Sequence, residues 1–154
     1  MKVYYFDSSA IIKRYVKEKG SQLVKSIVES ESAQMIILSQ VTPVEVGAAF
    51  SRKVREGVIT PFERDRVLGV FLKDCQIEYK ICAINDKIIK RAINLTCNYL
   101  LRGYDAIQLA VASFFNNSLI NQQLYPLIFV SADESLVEIA KKETLVVENP
   151  NLYT

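Results

Sequence analysis

Three unbroken apolar runs do most to limit what this chain can fold into. Val3-Tyr4-Tyr5-Phe6, Met35-Ile36-Ile37-Leu38 and Leu127-Ile128-Phe129-Val130 lack the polar alternation of a strand with one wet face. Strands of that kind are buried on both sides, as in a parallel sheet covered front and back by helices. The first run, Lys2 to Phe6, stops abruptly on Asp7, with Ser8 and Ser9 behind it. The third stops on Ser131-Ala132-Asp133-Glu134. In an open α/β sheet, ligands and chemistry sit just beyond the carboxyl ends of the strands, so charges at those positions are aimed into that crevice.

Between these runs the apolar spacing turns helical. Ile11, Ile12, Tyr15 and Val16 predict a helix that Gly20 stops, and Ser21 can cap a second carrying Leu23, Val24, Ile27 and Val28. Thr42-Pro43-Val44-Glu45 reads as a helix start, with a capping hydroxyl, proline at the first helical position and Glu three residues after the cap. That helix runs to Gly57. Thr60-Pro61-Phe62-Glu63 repeats the signal and opens a helix to about Cys75. Gln76 to Ile81 reads as a strand or its approach, and Asp86 to about Tyr99 as a helix. Tyr104 to Ala112 is apolar nearly all round, which predicts a helix buried on most sides. Polar Asn116 to Gln123 is expected to be a loop. A helix with Leu136, Val137, Ile139 and Ala140 follows the third run. Thr144 to Val147 is a last strand, and Asn149-Pro150 ends the ordered pattern. Strands alternating with helices predict an α/β/α sandwich with a mostly parallel central sheet. A length of 154 residues suits one domain, residues 1–154, able to bury roughly 70% of its unfolded surface.

Composition excludes several chemistries. There is no histidine, so no Ser-His-Asp triad, Cys-His nucleophile or His-ligated metal is possible. Acid–base work falls to carboxylates, Lys, Tyr or an ion that activates water. Cys75, Cys82 and Cys97 are odd in number and lack CxxC spacing, which suits buried thiols in a reducing cytoplasm. No run of 18 apolar residues and no signal peptide precede or interrupt the pattern, so the expectation is a cytoplasmic protein off the membrane. A net charge of +2 is too small to argue for nucleic acid by itself.

Four carboxylates stand out, and each has a structural reading beside the functional one. Asp7, Asp105 and Asp133 all lie where an acid favours a helix N-terminus, and Glu45 fits a capping box. Taken together they point further. Asp7 and Asp133 follow strand ends, and Asp105 opens a helix too apolar to face water. Four converging carboxylates repel one another unless hard cations neutralise them, and an oxygen-only donor set suits Mg²⁺ or Mn²⁺. The commonest work for such an ion is phosphate chemistry.

The phrases Tyr5-Phe6-Asp7-Ser8-Ser9-Ala10-Ile11-Ile12-Lys13, Val44-Glu45, Leu101-Arg102-Gly103-Tyr104-Asp105-Ala106-Ile107-Gln108-Leu109-Ala110 and Phe129-Val130-Ser131-Ala132-Asp133-Glu134-Ser135-Leu136 resemble the PIN-domain family, and within it the VapC-type toxins of toxin–antitoxin pairs. The resemblance covers essentially the whole chain, in order. It implies a PIN-like sandwich and a Mg²⁺- or Mn²⁺-dependent endoribonuclease whose acids are Asp7, Glu45, Asp105 and Asp133. Ser8 and Ser131 match hydroxyl positions that support the acids or a metal-bound water, and Arg102 a basic position before the third acid. Glu63 shares the Thr-Pro-x-Glu context of Glu45; Glu45 is preferred because its helix follows the strand Met35 to Leu38. A cognate antitoxin and a homodimer are implied by the resemblance, with Phe62, Val67, Val70 and Phe71 as interface candidates or ordinary core. Lys13, Arg14, Arg52, Lys53 and Arg55 are candidates for steering RNA, or else solvated helix faces. Rival readings are a PIN-type nuclease for RNA processing or DNA, and a non-catalytic binding module. The segment from Asn116 to Pro126 is expected to be a longer, more polar link than is usual before the fourth acid.

Overall fold

The computed structural model describes residues 1–153. Five strands form one sheet: β1 (Lys2–Phe6), β2 (Gln34–Ser39), β3 (Lys80–Cys82), β4 (Ile128–Val130) and β5 (Val146–Glu148). Their order across the sheet is β3-β2-β1-β4-β5, and every pairing is parallel. β1 is therefore central. The chain winds outward from it to β2 and β3 on one side, then returns to lay β4 and β5 on the other.

The unbroken apolar runs are buried on both faces because helices cover both. Tyr4, Phe6, Ile36, Leu38 and Val130 join one core cluster, with Val46 and Phe50 of α3 (Thr42–Arg55) and Val67 and Phe71 of α4 (Pro61–Ile77). Also on this face are α1 (Ser8–Ile11), a 3-10 turn Ile12–Arg14, and α2 (Ser21–Val28). Their neighbours in the strands, Val3, Tyr5, Ile37 and Phe129, face the other way. They pack with Ile88, Ala92 and Leu95 of α5 (Asp86–Asn98), with α6 (Gly103–Asn121) and with Leu136 and Ala140 of α7 (Glu134–Lys142). The period of two along each strand thus sorts side chains into two cores.

Several boundaries differ from the sequence reading. The expected loop Asn116 to Gln123 is the end of α6, which continues to Asn121. Asn116 is buried and its Oδ1 accepts from the Leu127 N–H at 2.9 Å, so the polar stretch is a helix end that anchors the start of β4. The link before β4 is accordingly short. α4 runs to Ile77, two residues past Cys75. The first helix starts at once after Asp7, as one α turn followed by a 3-10 turn, instead of extending through Val16. A further 3-10 turn, Pro150–Leu152, follows the last strand where the pattern was expected to end. Cys75 and Cys82 are half-buried, whereas Cys97 is exposed. On α4, Val67 and Phe71 are core, while Phe62 and Val70 are exposed. Among the described residues no helix is long and apolar enough to cross a membrane.

Gly20 precedes α2 with φ +86°, a left-handed conformation open to glycine at little cost. A Cβ there would meet the Pro150 carbonyl oxygen at 2.7 Å, so the missing side chain also seats the carboxyl-terminal turn against α2. Gly20→Ala is expected to lower stability by about 2 kcal/mol or more, from backbone strain plus the clash. Urea unfolding followed by far-UV circular dichroism measures it.

Candidate active site

Strand order reverses between β1 and β4, and the crevice at their carboxyl ends is where an α/β sheet offers a ligand site. Asp7 enters it directly. Its N–H extends the β1–β4 ladder by donating to the Val130 carbonyl at 3.1 Å, and its side chain caps α1 by accepting from the Ala10 N–H at 3.0 Å. Two hydroxyls hold the carboxylate. Ser9 Oγ donates to Oδ1 at 2.7 Å, and Ser131 Oγ donates to Oδ2 at 2.6 Å. The same hydroxyl oxygens accept from the next loop, Ser9 from the Ala132 N–H at 3.0 Å and Ser131 from the Asp133 N–H at 3.1 Å. Asp7 is thereby clamped between the end of β1 and the turn from β4 into α7.

Asp133 is itself the N-cap of α7. Its Oδ1 accepts from the Leu136 N–H at 3.2 Å, so Asp133 and not Ser131 caps this helix. Asp105 lies in the first turn of α6, half-buried, and shares with Asp133 a cleft of about 520 Å³ lined also by Leu101, Arg102 and Ser135. Arg102, the N-cap residue of α6, is exposed, and its charge holds the Asp105 pKa down. Burial and the charge of Asp133 outweigh it and push Asp105 up.

Glu45 comes from the first turn of α3. The two Thr-Pro-x-Glu segments part company here. Thr60 and Glu63 form a complete capping box, each side chain bonded to the other's backbone N–H at 3.1 Å. Thr42 does not cap α3, whose N-cap is Val41, and Glu45 does not reach back to it. Instead Glu45 Oε1 accepts from Gln108 Nε2, and Oε2 from Ser8 Oγ at 3.3 Å. Burial, then the charge of Asp105, raises the Glu45 pKa, while the Gln108 and Ser8 bonds lower it. Burial pushes Asp7 up to about 7; the Ser131, Ser9 and Ala10 bonds oppose that rise and the Glu45 charge adds to it. Four acids expected from the sequence thus influence one another across one edge of the sheet. Among the described residues none of the four makes an ion pair. Nor are three His, Cys, Asp or Glu side chains drawn together as a ready-made metal cage.

The basic candidates divide. Lys13 is 4% exposed, and its ammonium donates to the Lys19 carbonyl at 2.6 Å and to Glu18 at 3.0 Å. Glu18 also takes Lys53 at 2.7 Å. Arg14 is held by Glu78 at 2.7 Å, Asp74 at 3.4 Å and Glu29 at 3.6 Å. It lies beside Gln34 and Ile36, toward the amino end of β2 and away from the acids. Lys13 and Arg14 are thus both engaged by internal partners. Arg52 and Arg55 are exposed on the last turn of α3. Ser9 and Gln108 were not singled out by sequence reasoning. Gln108 had a signal: it is the one polar residue in Ala106 to Ala112, three places after Asp105 and so on its helix face.

Comparison with known proteins follows the same lines. The protein-family model described as PIN domain matches residues 4–142. No curated protein sequence matches the chain. Among solved structures, the fold is similar to PAE2754 from Pyrobaculum aerophilum, with a TM-score of 0.62 at 19% identity over 95% of this chain and 83% of that one. A toxin–antitoxin complex from Klebsiella pneumoniae gives 0.57 at 18% identity, over 96% and 97% of the two chains. VapBC2 from Rickettsia felis, bound to a DNA fragment from its promoter, gives 0.59 at 12% identity, over 96% and 98%.

Two measurements check the local assignments. Asp7 has a folded pKa above its ordinary value of 3.8, so protons favour the folded state. Its stabilising contribution is complete below about pH 4 and is lost as pH rises through about 7. In EDTA, urea unfolding should show lower stability at pH 8 than at pH 5, by on the order of 3 kcal/mol, and Asp7→Asn should flatten the difference. Thr60→Ala should cost about 1 kcal/mol in the same assay, as loss of an N-cap does.

Proposed function

The chain belongs to the PIN domain family, and from that premise we propose that it is a Mg²⁺- or Mn²⁺-dependent endoribonuclease, the toxin of a toxin–antitoxin pair acting in the cytoplasm as a single domain. The observation that carries the reading is the set of acids near the switch point of the sheet: Asp7, Glu45, Asp105 and Asp133 feel one another's charge, and among the described residues none of them forms an ion pair. An acidic pocket without an ion-paired base is fitted to a divalent cation. The donors suit a hard one, being oxygen only in a protein without histidine.

Asp7, Asp105 and Asp133 would hold the cation, with Glu45 a further or water-mediated ligand. When bound, the cation supplies water activation and stabilises the charge that develops on the phosphodiester. The chain does the rest. Ser9 and Ser131 fix the Asp7 carboxylate, and Ser8 and Gln108 fix that of Glu45. Arg102, at the mouth of the Asp105–Asp133 cleft, binds a phosphate of the strand. Arg52 stands seven residues after Glu45, on the same face of α3 and roughly 10 Å along it, which suits it to a neighbouring phosphate. Single-stranded loops are the expected substrate, since their bases are accessible.

The antitoxin reading rests on the family and on the fold shared with the toxin–antitoxin complex. A homodimer belongs to the same proposal, with exposed Phe62 and Val70 of α4 as candidates for its interface. Digestion of single-stranded RNA and DNA in Mg²⁺, Mn²⁺ or EDTA tests the activity. RNA should be cut only with metal, and Asp7→Asn and Asp105→Asn should each lose about 100-fold or more, the scale of losing one group that stabilises transition-state charge. Cleavage of DNA alone would move the assignment to the rival PIN-type nuclease, and no cleavage by folded wild type would sink it. Expression of the wild type, but not of Asp7→Asn, should arrest growth if the toxin reading holds.

A further inference from the structure

Gln108 is 1% exposed, and its whole amide is committed. A primary amide offers one oxygen to accept and two N–H to donate. Oε1 accepts from the Tyr5 hydroxyl and faces Thr42 Oγ1 at 3.5 Å. Nε2 donates to Thr42 Oγ1 at 3.1 Å and to Glu45 Oε1. The amide therefore joins β1, the first turn of α3 and α6 at one buried point.

Its direction is set at the far end. Tyr5 is fully buried, its ring stacked on Phe129 with centroids 5.7 Å apart. Its hydroxyl donates to Gln108 Oε1. With the oxygen taken by that bond, the NH₂ faces Glu45. Thr42 reinforces the choice, because its Oγ1 also accepts the Ser39 N–H at 3.2 Å. A flipped amide would set oxygen against carboxylate, a mismatch where water does not compensate.

Resting on the nuclease reading above, we propose that Gln108, oriented by Tyr5, is a positioning residue that holds the Glu45 carboxylate in place for the divalent cation. Tyr5 thereby serves the metal site although it touches none of the acids. Partners of this kind behind a metal ligand commonly cost 10- to 100-fold in affinity or activity when lost.

Tyr5→Phe removes a single oxygen and is the first test. Mn²⁺ binding by isothermal titration calorimetry, on the full chain without RNA, should weaken by about 10-fold or more. Cleavage at limiting Mn²⁺ should slow and recover at saturating Mn²⁺, a rescue that a smaller fraction of folded enzyme would not give. Gln108→Met alone strands the Tyr5 hydroxyl in the core and can unfold the chain. The double variant Tyr5→Phe/Gln108→Met is apolar on both sides and avoids that loss. It should bind Mn²⁺ as weakly as Tyr5→Phe or more weakly. Wild-type affinity and wild-type cleavage at limiting Mn²⁺ in either folded variant overturn the positioning role and leave the nuclease reading standing. Wild-type protein that neither binds Mn²⁺ nor cleaves RNA overturns that reading, and this proposal with it.

Discussion

The clamp on Asp7 is the contact on which the rest of the site depends. Ser9 and Ser131 each donate a hydrogen bond to one carboxylate oxygen and accept one from the Ala132–Asp133 backbone. A buried carboxylate is costly without hydrogen bonds, and these bonds reduce that cost. They also tie the carboxyl end of the central strand to the loop that starts α7. Asp133 and the Asp105–Asp133 cleft are thus held in register with Asp7 by side chains, where the sheet ladder ends.

Much of the architecture could be read because burial on both faces leaves a mark in the sequence. Strands with no polar alternation required two helical layers, and the parallel sheet follows from helices between strands. The acids at the ends of β1 and β4 could be read for the same reason, since a strand end fixes where the next residue points. What could not be read were choices settled by tertiary contact. Thr42-Pro43-Val44-Glu45 and Thr60-Pro61-Phe62-Glu63 carry the same local signal. One Glu closes a capping box and the other turns to Gln108, because only α3 begins beside α6. The polar stretch from Asn116 stayed helical because its buried Asn holds the start of β4, which composition cannot reveal.

The basic residues teach a related lesson. Lys13 and Arg14 follow the first acid in sequence, and proximity made them candidates for substrate contact. The turns that begin immediately after Asp7 bring Arg14 beside the amino end of β2 and Lys13 against Glu18 and Lys19. Lys13 ends beneath Glu18, and Arg14 beneath Tyr79 and its three carboxylate partners. Charge near a site in sequence is therefore weaker evidence than charge on a helix whose start lies at the site. Arg52, on the helix of Glu45, and Arg102, at the start of α6, meet that stricter condition.

The central position of β1 has a bearing on biosynthesis. β1 is made before the other four strands yet occupies the middle of the finished sheet, and the hydroxyl that completes its carboxylate clamp lies 124 residues later. Domains mature as units while translation proceeds at roughly 5–20 residues per second. A nascent chain ending before β4 has Asp7 without Ser131, an open flank on its first strand, and no Asp133. For an enzyme of the proposed kind, the topology delays competence until Ser131 and Asp133 have been made, so a product stalled before β4 lacks part of the acid set.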